Sequence, residues 1–192
     1  MDTISDLVFR ARSYRRFRQR RRVERQTLVD LVNLARESGS AGNRQPLRYM
    51  IFRGEEACER IFPYLKWAAL LTDWFGPEDG ERPAAYILVL ANKADGGMPQ
   101  CDAGIAMQMI LLAAAERGLA GCMIGSLDRP KLVSACKVPA GMDLIFVVAL
   151  GYAAETVVLE EAKDGNINYY RDASEIHHVP KRPLNEVLLG GE

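Results

Sequence analysis

Residues 102–117 constrain the fold of this chain most, because they predict a helix that is apolar around most of its circumference. Asp102 stands where an N-cap is expected, and Gly118 stands where a left-handed turn can end the helix. The apolar positions are Ile105, Ala106, Met109, Ile110, Leu112, Ala113 and Ala114. A helix that is apolar on most sides is buried on most sides. In a chain of 192 residues this indicates packing against the domain's own sheet and against a second subunit.

The rest of the sequence interleaves helices and strands without a regular alternation. Strands are predicted at residues 49–52, 84–91, 120–126 and 144–150, where short apolar runs occur. Helices are predicted at residues 3–12, 27–37, 55–71 with an interruption at Pro63, and 128–136. Since few helices lie between successive strands, the predicted fold class is α+β, a layered domain and not a doubly wound one.

The length fits one domain with an extension. We assign residues 1–154 to the body of the domain and residues 155–192 to an arm of the same domain. From Glu155 the sequence is polar and irregular, and a tail of this length cannot easily bury itself on so small a body. We therefore expect the arm to wrap a second subunit.

The overall composition argues against several classes of protein. The 25 basic side chains are balanced by 25 acidic ones, which disfavours a protein dominated by binding to a nucleic-acid backbone. The chain has no visible secretory signal and no apolar run long enough to span a membrane, so we expect a cytoplasmic protein. The cysteines are scattered, with no close pair for zinc, and are expected to be reduced and mostly buried: Cys58, Cys101, Cys122 and Cys136.

Arginines crowd into one N-terminal segment, so the remainder of the chain is net acidic. They are Arg10, Arg12, Arg15, Arg16, Arg18, Arg20, Arg21, Arg22 and Arg25. A solvated basic patch or a nucleic-acid arm would explain such a cluster, although an arm would need more basic surface and stacking aromatics elsewhere. We separate Arg12, Ser13 and Arg15 from the later arginines, because guanidinium forks match a phosphate or the edge of an electron-poor ring. Arg18 to Arg25 are expected at the surface.

Two further segments carry polar or permissive residues at turns. Residues 40–46 follow a helix, and their serine, glycine and asparagine are ordinary turn residues as well as candidate ligand contacts. Glycines surround the predicted strand at 120–126 without forming a dinucleotide-binding fingerprint. They allow close packing, or at Gly125 and Ser126 a close approach to a planar cofactor. The pair Lys181-Arg182 by itself is an ordinary exposed basic pair.

Taken in order, four motifs resemble those of the nitroreductase superfamily. They are Arg-Ser-Tyr-Arg-Arg-Phe at 12–17, Ser-Ala-Gly-Asn-Arg-Gln-Pro at 40–46, the segment from Asp102 through Gly118 to Gly125, and Lys-Arg-Pro-Leu at 181–184. The tail is similar to that of a compact, little-characterised subgroup of the superfamily. The resemblance implies an α+β sandwich with a central, mostly antiparallel sheet flanked by helices. It also implies an intertwined homodimer with one non-covalent FMN per subunit at the interface.

The resemblance also assigns roles to individual residues. It implies that Arg12, Ser13 and Arg15 hold the ribityl-phosphate and the pyrimidine edge of the flavin. The loop residues Ser40, Ala41, Asn43 and Gln45 would approach the flavin, some of them from the other subunit. Gly125 and Ser126 would lie near the ring, and Lys181 with Arg182 would close on the phosphate. No metal and no dedicated catalytic side chain is implied.

Two positions depart from the family pattern. Many members have a basic residue or asparagine where this chain has Ala11, and proline where it has Gly39. The change at position 11 is expected to remove an FMN contact, and the change at position 39 is expected to loosen the loop.

The implied activity is an FMN-dependent NAD(P)H oxidoreductase. NADH or NADPH would deliver hydride to the flavin and leave, and a small electron-poor acceptor such as a nitroaromatic or a quinone would then take the electrons. Tyr64, Trp67 and Trp74 fall on the segment that shapes the acceptor pocket in the family, although aromatic side chains at this spacing also suit a core. The alternative is an FMN-binding or regulatory protein without turnover, whose arginine cluster contacts a partner or nucleic acid.

Overall fold

A four-stranded antiparallel sheet forms the centre of the molecule. The computed structural model describes residues 2–190. The strands are β1 (Leu47–Arg53), β2 (Ala85–Asn92), β3 (Ala120–Ile124) and β4 (Met142–Gly151), and their order in the sheet is β1-β2-β4-β3. Each neighbouring pair is antiparallel. The predicted α+β class with a mostly antiparallel central sheet is confirmed.

Both faces of this sheet are covered, which makes the fold a layered sandwich. On one face Ile87 and Val89 of β2 pack against helices α2 (Arg25–Arg36) and α4 (Pro99–Glu116). On the other face Tyr86 and Leu88 join a second apolar cluster. That cluster includes side chains from the N-terminal segment, α3 (Glu55–Glu59) and α5 (Arg129–Ala135): Phe17, Cys58 and Leu132. Because alternate residues of a strand face opposite sides, β2 is apolar at nearly every position.

Helix α4 lies against the sheet as its apolar character predicted, but its start is different. Met98 occupies the N-cap position, and Asp102 lies in the first turn with 3% of its surface exposed. The prediction of Asp102 as a cap is wrong because Pro99, which needs no backbone N–H partner, begins the helix earlier. Gly118 has a φ of +70° and ends the helix as predicted. Among residues 2–190, no helix has the length and apolar character needed to cross a membrane.

The predicted long helix at residues 55–71 is wrong beyond its first turn. Only α3 (Glu55–Glu59) is α-helical, and a 3₁₀ turn follows at Phe62–Tyr64. Pro63 interrupts the helix, and Lys66 then donates its backbone N–H to the carbonyl of Ser126 at 2.9 Å. This bond draws the chain into an extended path over the end of β3. The other predicted elements are present with shifted ends, including α1 (Ile4–Arg10).

The tail contains a second small sheet, for which the sequence analysis predicted no strands. Strands β5 (Val157–Glu161), β6 (Tyr170–Arg171) and β7 (His177–Lys181) lie in the order β5-β7-β6, and helix α6 (Leu184–Val187) follows. The pairing of β5 with β7 is parallel, whereas β6 and β7 are antiparallel. Of the ranges assigned to the domain body (1–154) and to the arm (155–192), residues 1, 191 and 192 lie outside the described residues. The wrapping of a partner by the arm stays a prediction.

Three of the four thiols are buried, as the sequence predicted. Cys58, Cys122 and Cys136 lie in the core, and Cys101 is exposed. Burial raises the pKa of Cys58 to about 12 and that of Cys136 to about 11. The thiols of Cys58 and Cys136 are therefore protonated and unreactive at neutral pH.

Gly121 is expected to tolerate no larger residue. A β-carbon at this position would lie 2.5 Å from Leu111 Cδ2 and 2.9 Å from the backbone oxygen of Ala149, so strand and helix would have to separate. We expect Gly121→Ala to lower the free energy of unfolding by about 1–3 kcal/mol. The control is Gly39→Ala, because a β-carbon there meets nothing within 4 Å. Urea unfolding of both variants measures the difference, and equal midpoints would contradict the expectation.

Candidate functional site

The N-terminal arginine motif lies along the edge of the central sheet, beside β3. Ser13 forms a parallel bridge with Gly121, and the backbone N–H of Tyr14 donates to the carbonyl of Gly121 at 3.0 Å. Phe17 is fully buried and fixes the end of the motif, where its backbone bridges Ala153. An extended segment held at both ends projects alternate side chains in fixed directions. The motif is therefore a rigid wall and not a flexible charged arm.

A cleft of about 140 Å³ opens beside this wall. Its lining joins Arg15 to the last three residues of β3, to the two residues that follow this strand, and to a segment that begins at Lys66: Arg15, Lys66, Trp67, Ala68, Ala69, Cys122, Met123, Ile124, Gly125 and Ser126. The structure thus brings together three residues that the sequence placed at one site, Arg15, Gly125 and Ser126. Among residues 2–190 the lining carries two cations and no carboxylate, which suits an anionic or electron-poor ligand.

Arg12 has a buried donor atom without a protein partner. Its Nη2 donates to the carbonyl of Val8, whereas its Nε is buried and makes no hydrogen bond within the described residues. Burial lowers the pKa of Arg12, which indicates a poorly solvated guanidinium. A buried donor on a cation is normally paired, so this atom fits an anionic group supplied from outside the chain. The donor set is therefore compatible with the phosphate of FMN.

The guanidinium of Arg15 is held mainly by the tail. Its Nη1 donates to the carbonyl of Ser13 at 3.2 Å and lies 3.0 Å from Nε2 of His177. Its central carbon lies 4.8 Å from the ring centroid of Tyr169. Two of these three contacts come from residues that lie more than 150 positions later in the sequence. Arg15 is therefore fixed by the closing of the tail over the N-terminal motif.

Glu155 links the same two segments through its buried carboxylate. Oε1 accepts the backbone N–H of Arg15 and, at 3.0 Å, that of Arg16. Oε2 accepts from Nη2 of Arg171 at 2.9 Å. The exposed fractions of the two side chains are 1% for Glu155 and 9% for Arg171. Arg171 also lies over the ring of Trp74, at 4.3 Å from its centroid.

The two neighbouring histidines of β7 face different surroundings. Burial, followed by the charge of Arg15, lowers the pKa of His177 to about 4. His178 lies between Glu160 at 3.0 Å and Asp172 at 3.2 Å, and the hydrogen bond to Asp172 is the main cause of its raised pKa. At neutral pH His177 is therefore neutral, whereas His178 holds a proton to higher pH than an ordinary histidine.

The stability of the protein is expected to depend on pH through His177. Its pKa is 6.5 when unfolded and about 4 when folded, so its contribution is complete above pH 6.5 and is lost as the pH falls towards 4. The charged groups around it are Arg15, Glu155, Arg171 and His178. The difference in unfolding free energy between the wild type and His177→Gln should therefore narrow between pH 6.5 and 4. The free energies of unfolding are measured with urea at each pH. If those of the wild type and of His177→Gln changed in parallel with pH, the expectation would be contradicted.

The second motif forms a loop organised by Asp102. The Oδ2 atom of Asp102 accepts from the hydroxyl of Ser40, and Oδ1 accepts the backbone N–H of Ala41, each at 2.9 Å. The Ser40 oxygen in turn accepts the backbone N–H of Gln45 at 2.9 Å. Asn43 and Gln45 have positive φ angles of 53° and 48°. Sequence reasoning missed this role of Asp102, and the signal was a carboxylate inside an otherwise apolar helix.

This loop lines a different cleft from that of Arg15. The second cleft has a volume of about 220 Å³, and Ser40 and Gln45 line it together with Tyr49, Asp102 and Ala106. None of its lining residues belongs to the first cleft. Within residues 2–190 the structure therefore does not unite the two sequence motifs in one site. The approach of Ser40, Ala41, Asn43 and Gln45 to a flavin stays a prediction that requires a second subunit.

Gly125 has a packing reason for being glycine. A β-carbon there would lie 2.9 Å from Cε1 of Phe146 on the adjacent strand β4. Of the two alternatives left open by the sequence, close packing thus explains the residue type. Gly125 and Ser126 are both exposed at the first cleft, so their contact with a cofactor stays a prediction.

Lys181 and Arg182 lie at the end of β7 and do not line the cleft. Both are exposed, and Arg182 forms an ion pair with Glu186 at 2.9 Å. Alternation along β7 places Lys181 on the same face as His177, on the order of 13 Å away. The predicted closure of this pair on a phosphate is therefore untested, although the strand that carries it does reach Arg15.

The three aromatic residues proposed for an acceptor pocket, Tyr64, Trp67 and Trp74, lie in different surroundings. Trp67 lines the first cleft and is 7% exposed. Its ring lies 6.0 Å from that of Phe62, between centroids. Trp74 packs on Arg171, and Tyr64 packs against the second apolar cluster. Only Trp67 is thus placed to meet a ligand in the first cleft.

Comparison with known proteins agrees with this architecture. The sequence profile of the Nitroreductase family matches residues 8–152, which is most of the chain. The chain belongs to the nitroreductase family. The matched range contains the arginine motif, the Ser40 loop, helix α4 and the glycine-flanked strand β3. A search of curated proteins gives no match.

Solved structures of the family share the fold at low sequence identity. A candidate nitroreductase from Desulfovibrio desulfuricans in complex with FMN is 20% identical, with a TM-score of 0.72 over 100% of this chain and 98% of that one. A second FMN complex, from Exiguobacterium sibiricum, is 16% identical, with a TM-score of 0.67 over 81% and 90%. A candidate NADH oxidase from Clostridium acetobutylicum is 21% identical, with a TM-score of 0.61 over 79% and 89%.

Proposed function

We propose that this nitroreductase-family protein is an FMN-dependent NAD(P)H oxidoreductase that reduces small electron-poor acceptors such as nitroaromatics or quinones. The observation that carries the proposal is the cationic cleft that Arg15 lines with Gly125 and Ser126. The buried Nε of Arg12, in the same motif, supports it, because this atom has no hydrogen-bond partner within the described residues. The two related structures solved with FMN support the choice of cofactor. The related candidate NADH oxidase supports a nicotinamide as the reductant.

The residues of the motif would divide the binding of FMN between them. Arg12 would direct its free Nε to the ribityl-phosphate, with the hydroxyl of Ser13 beside it. Arg15 would face the pyrimidine edge of the ring, because this residue lines the cleft. Lys181 and Arg182 would close on the phosphate from the end of β7. Bound FMN supplies the chemistry, since it accepts hydride from the nicotinamide and passes electrons to the acceptor.

The protein's own contribution is positioning and electrostatics. Arg15 carries a positive charge into the cleft, where it favours electron-rich forms of a bound ring. Trp67 forms an apolar wall, which excludes water from one side of the cleft. Apart from the cation Lys66, the cleft lining within the described residues offers as nucleophiles only Ser126 and the buried Cys122. Such an arrangement suits electron transfer through a cofactor and not covalent catalysis.

We further propose that the functional unit is a homodimer. Large apolar side chains remain exposed on α1 and α4: Ile4, Val8, Phe9, Ile105 and Met109. An apolar surface of this kind on adjoining helices is typical of an interface between subunits. Ser40, Ala41, Asn43 and Gln45 would then reach the flavin of the partner. The tail would contact the second subunit as well, and the protein would act in the cytoplasm.

The activity is tested by following the flavin spectrum through both halves of the reaction. The FMN-loaded protein is mixed anaerobically with NADH or NADPH, and then with a nitroaromatic or a quinone. We expect the flavin absorbance near 450 nm to bleach with the nicotinamide and to return with the acceptor. Bound flavin that no nicotinamide reduces would overturn the proposal. If the protein bound flavin without reduction and also bound DNA or RNA in a salt-sensitive way, a regulatory FMN-binding protein would replace the oxidoreductase as the proposed function.

A further inference from the structure

We propose that His177 is a positioning residue, which holds the Arg15 guanidinium in the cleft as a hydrogen-bond acceptor that carries no charge. The tail strand β7 would thus contribute to the cofactor site of its own chain. The expected effect of His177 on FMN binding rests on the proposed function, whereas the contact between Arg15 and His177 does not.

The direction of the hydrogen bond follows from the chemistry of the two groups. A guanidinium has donors only, so His177 Nε2, at 3.0 Å from Arg15 Nη1, must be the acceptor. The proton of the neutral ring is then on Nδ1, which is buried and has no hydrogen-bond partner within the described residues. The imidazole therefore leaves one of its own polar atoms unpaired while it serves Arg15. The lowered pKa of His177, about 4, agrees with a ring that stays neutral.

The neighbouring charges explain why a neutral acceptor matters. A carboxylate would hold Arg15 more strongly, but it would cancel the charge that the cleft presents to a ligand. The nearest buried carboxylate, Glu155, is taken up by the backbone N–H groups of Arg15 and Arg16 and by the side chain of Arg171. The charge of Glu155 is thus matched by Arg171, and the charge of Arg15 is left free for an anion.

Tyr169 and His177 hold Arg15 from two sides. The ring of Tyr169 lies under the guanidinium, and its centroid is 5.4 Å from that of His177. An arginine side chain has several free rotations, so a stacked and hydrogen-bonded guanidinium meets its ligand already ordered. A residue that only ordered the tail would not need to contact Arg15. Loss of the His177 acceptor should therefore weaken ligand binding only through its effect on Arg15.

The first test measures the arginine–histidine contact without any flavin. In the wild type, ¹H–¹⁵N NMR of the histidine rings should show His177 as the Nδ1–H tautomer at pH 7, titrating only in acid. In Arg15→Gln the titration of His177 should move upwards towards 6.5, the ordinary value, because the neighbouring cation is removed. An Nε2–H tautomer in the wild type, or an unchanged titration in Arg15→Gln, would overturn the proposal.

The second test measures FMN affinity in five variants by quenching of flavin fluorescence. His177→Leu should weaken FMN binding about tenfold, whereas His177→Gln, which keeps a neutral acceptor, should weaken it about twofold or less. In an Arg15→Gln background, His177→Leu should have no further effect. The matched control is His178→Gln, on the same strand but paired with Glu160 and Asp172, and it should leave the affinity unchanged.

The outcomes separate the inference from the proposed function. If the wild type binds no FMN, the proposed function fails. The NMR result still decides whether His177 accepts a hydrogen bond from Arg15. If the wild type binds FMN and the effects of Arg15→Gln and His177→Leu are additive, His177 acts on stability and the proposal is overturned. If His177→Leu does not fold, His177→Glu replaces it. A carboxylate at position 177 should keep Arg15 in place but weaken FMN binding, because it cancels the positive charge of Arg15. An unchanged affinity for FMN would contradict the proposal.

Discussion

Replacement of Glu155 with alanine is expected to lower the free energy of unfolding by about 3–5 kcal/mol. The carboxylate is 1% exposed and pairs with Arg171, which is 9% exposed, at 2.9 Å. Its removal leaves a buried guanidinium without a counter-charge and two backbone N–H groups, of Arg15 and Arg16, without an acceptor. Each of these losses is unfavourable because the groups are largely or partly shielded from water.

The control for this variant is Glu175→Ala. Glu175 also pairs with an arginine, Arg16, at 2.7 Å, but 62% of its side chain is exposed. An exposed pair of this kind contributes about 0–1 kcal/mol. Urea unfolding at neutral pH measures both variants against the wild type. Losses of similar size in Glu155→Ala and Glu175→Ala would show that the buried network does not hold the tail on the N-terminal motif.

Replacement of Arg12 with methionine is expected to weaken FMN binding about a hundredfold, equivalent to about 2.7 kcal/mol. The buried Nε of Arg12 has no partner in the described chain, so a phosphate would meet a desolvated donor and gain a strong charge-assisted bond. Methionine keeps much of the apolar stem of the side chain but removes its donors, including the Nη2 atom that donates to the carbonyl of Val8. Titration with FMN, followed by flavin fluorescence, measures the change.

The matched control is Arg20→Met, in the same arginine-rich segment. Arg20 is exposed, as are Arg18, Arg21, Arg22 and Arg25, in agreement with the sequence prediction. If FMN recognised only the general positive charge of the segment, both variants would weaken it equally. We expect Arg20→Met to stay within about twofold of the wild type at 0.15 M salt, where exposed charges are screened. An equal loss in the two variants would disprove a specific role for Arg12.

The sequence predicted the central sheet and helix α4 well, because their signals are local and strong. A run such as β2 is apolar at nearly every position, and few structures other than a strand covered on both faces can bury it. The N-terminal motif was likewise visible, since Arg12, Ser13 and Arg15 stand close together along the chain. The later arginines lie at the surface, as the sequence analysis predicted.

The tail and its partners were not predictable in the same way. Strands β5, β6 and β7 are short and polar, so they lack the periodicity that identifies a strand. The contacts of Glu155 and His177 with Arg15 join residues that are 140 and 162 positions apart, and no local pattern announces such pairs. The bonds of Asp102 to the loop at Ser40 also join residues about sixty positions apart, so the sequence did not indicate them.

The most direct test of the account is a calorimetric titration of the purified wild-type chain with FMN at neutral pH. We expect saturable binding of one FMN per chain, with the affinity reduced in Arg12→Met and Arg15→Gln and retained in Arg20→Met. A wild-type protein that shows no saturable FMN binding would contradict the assignment of the cleft beside β3 as a flavin site.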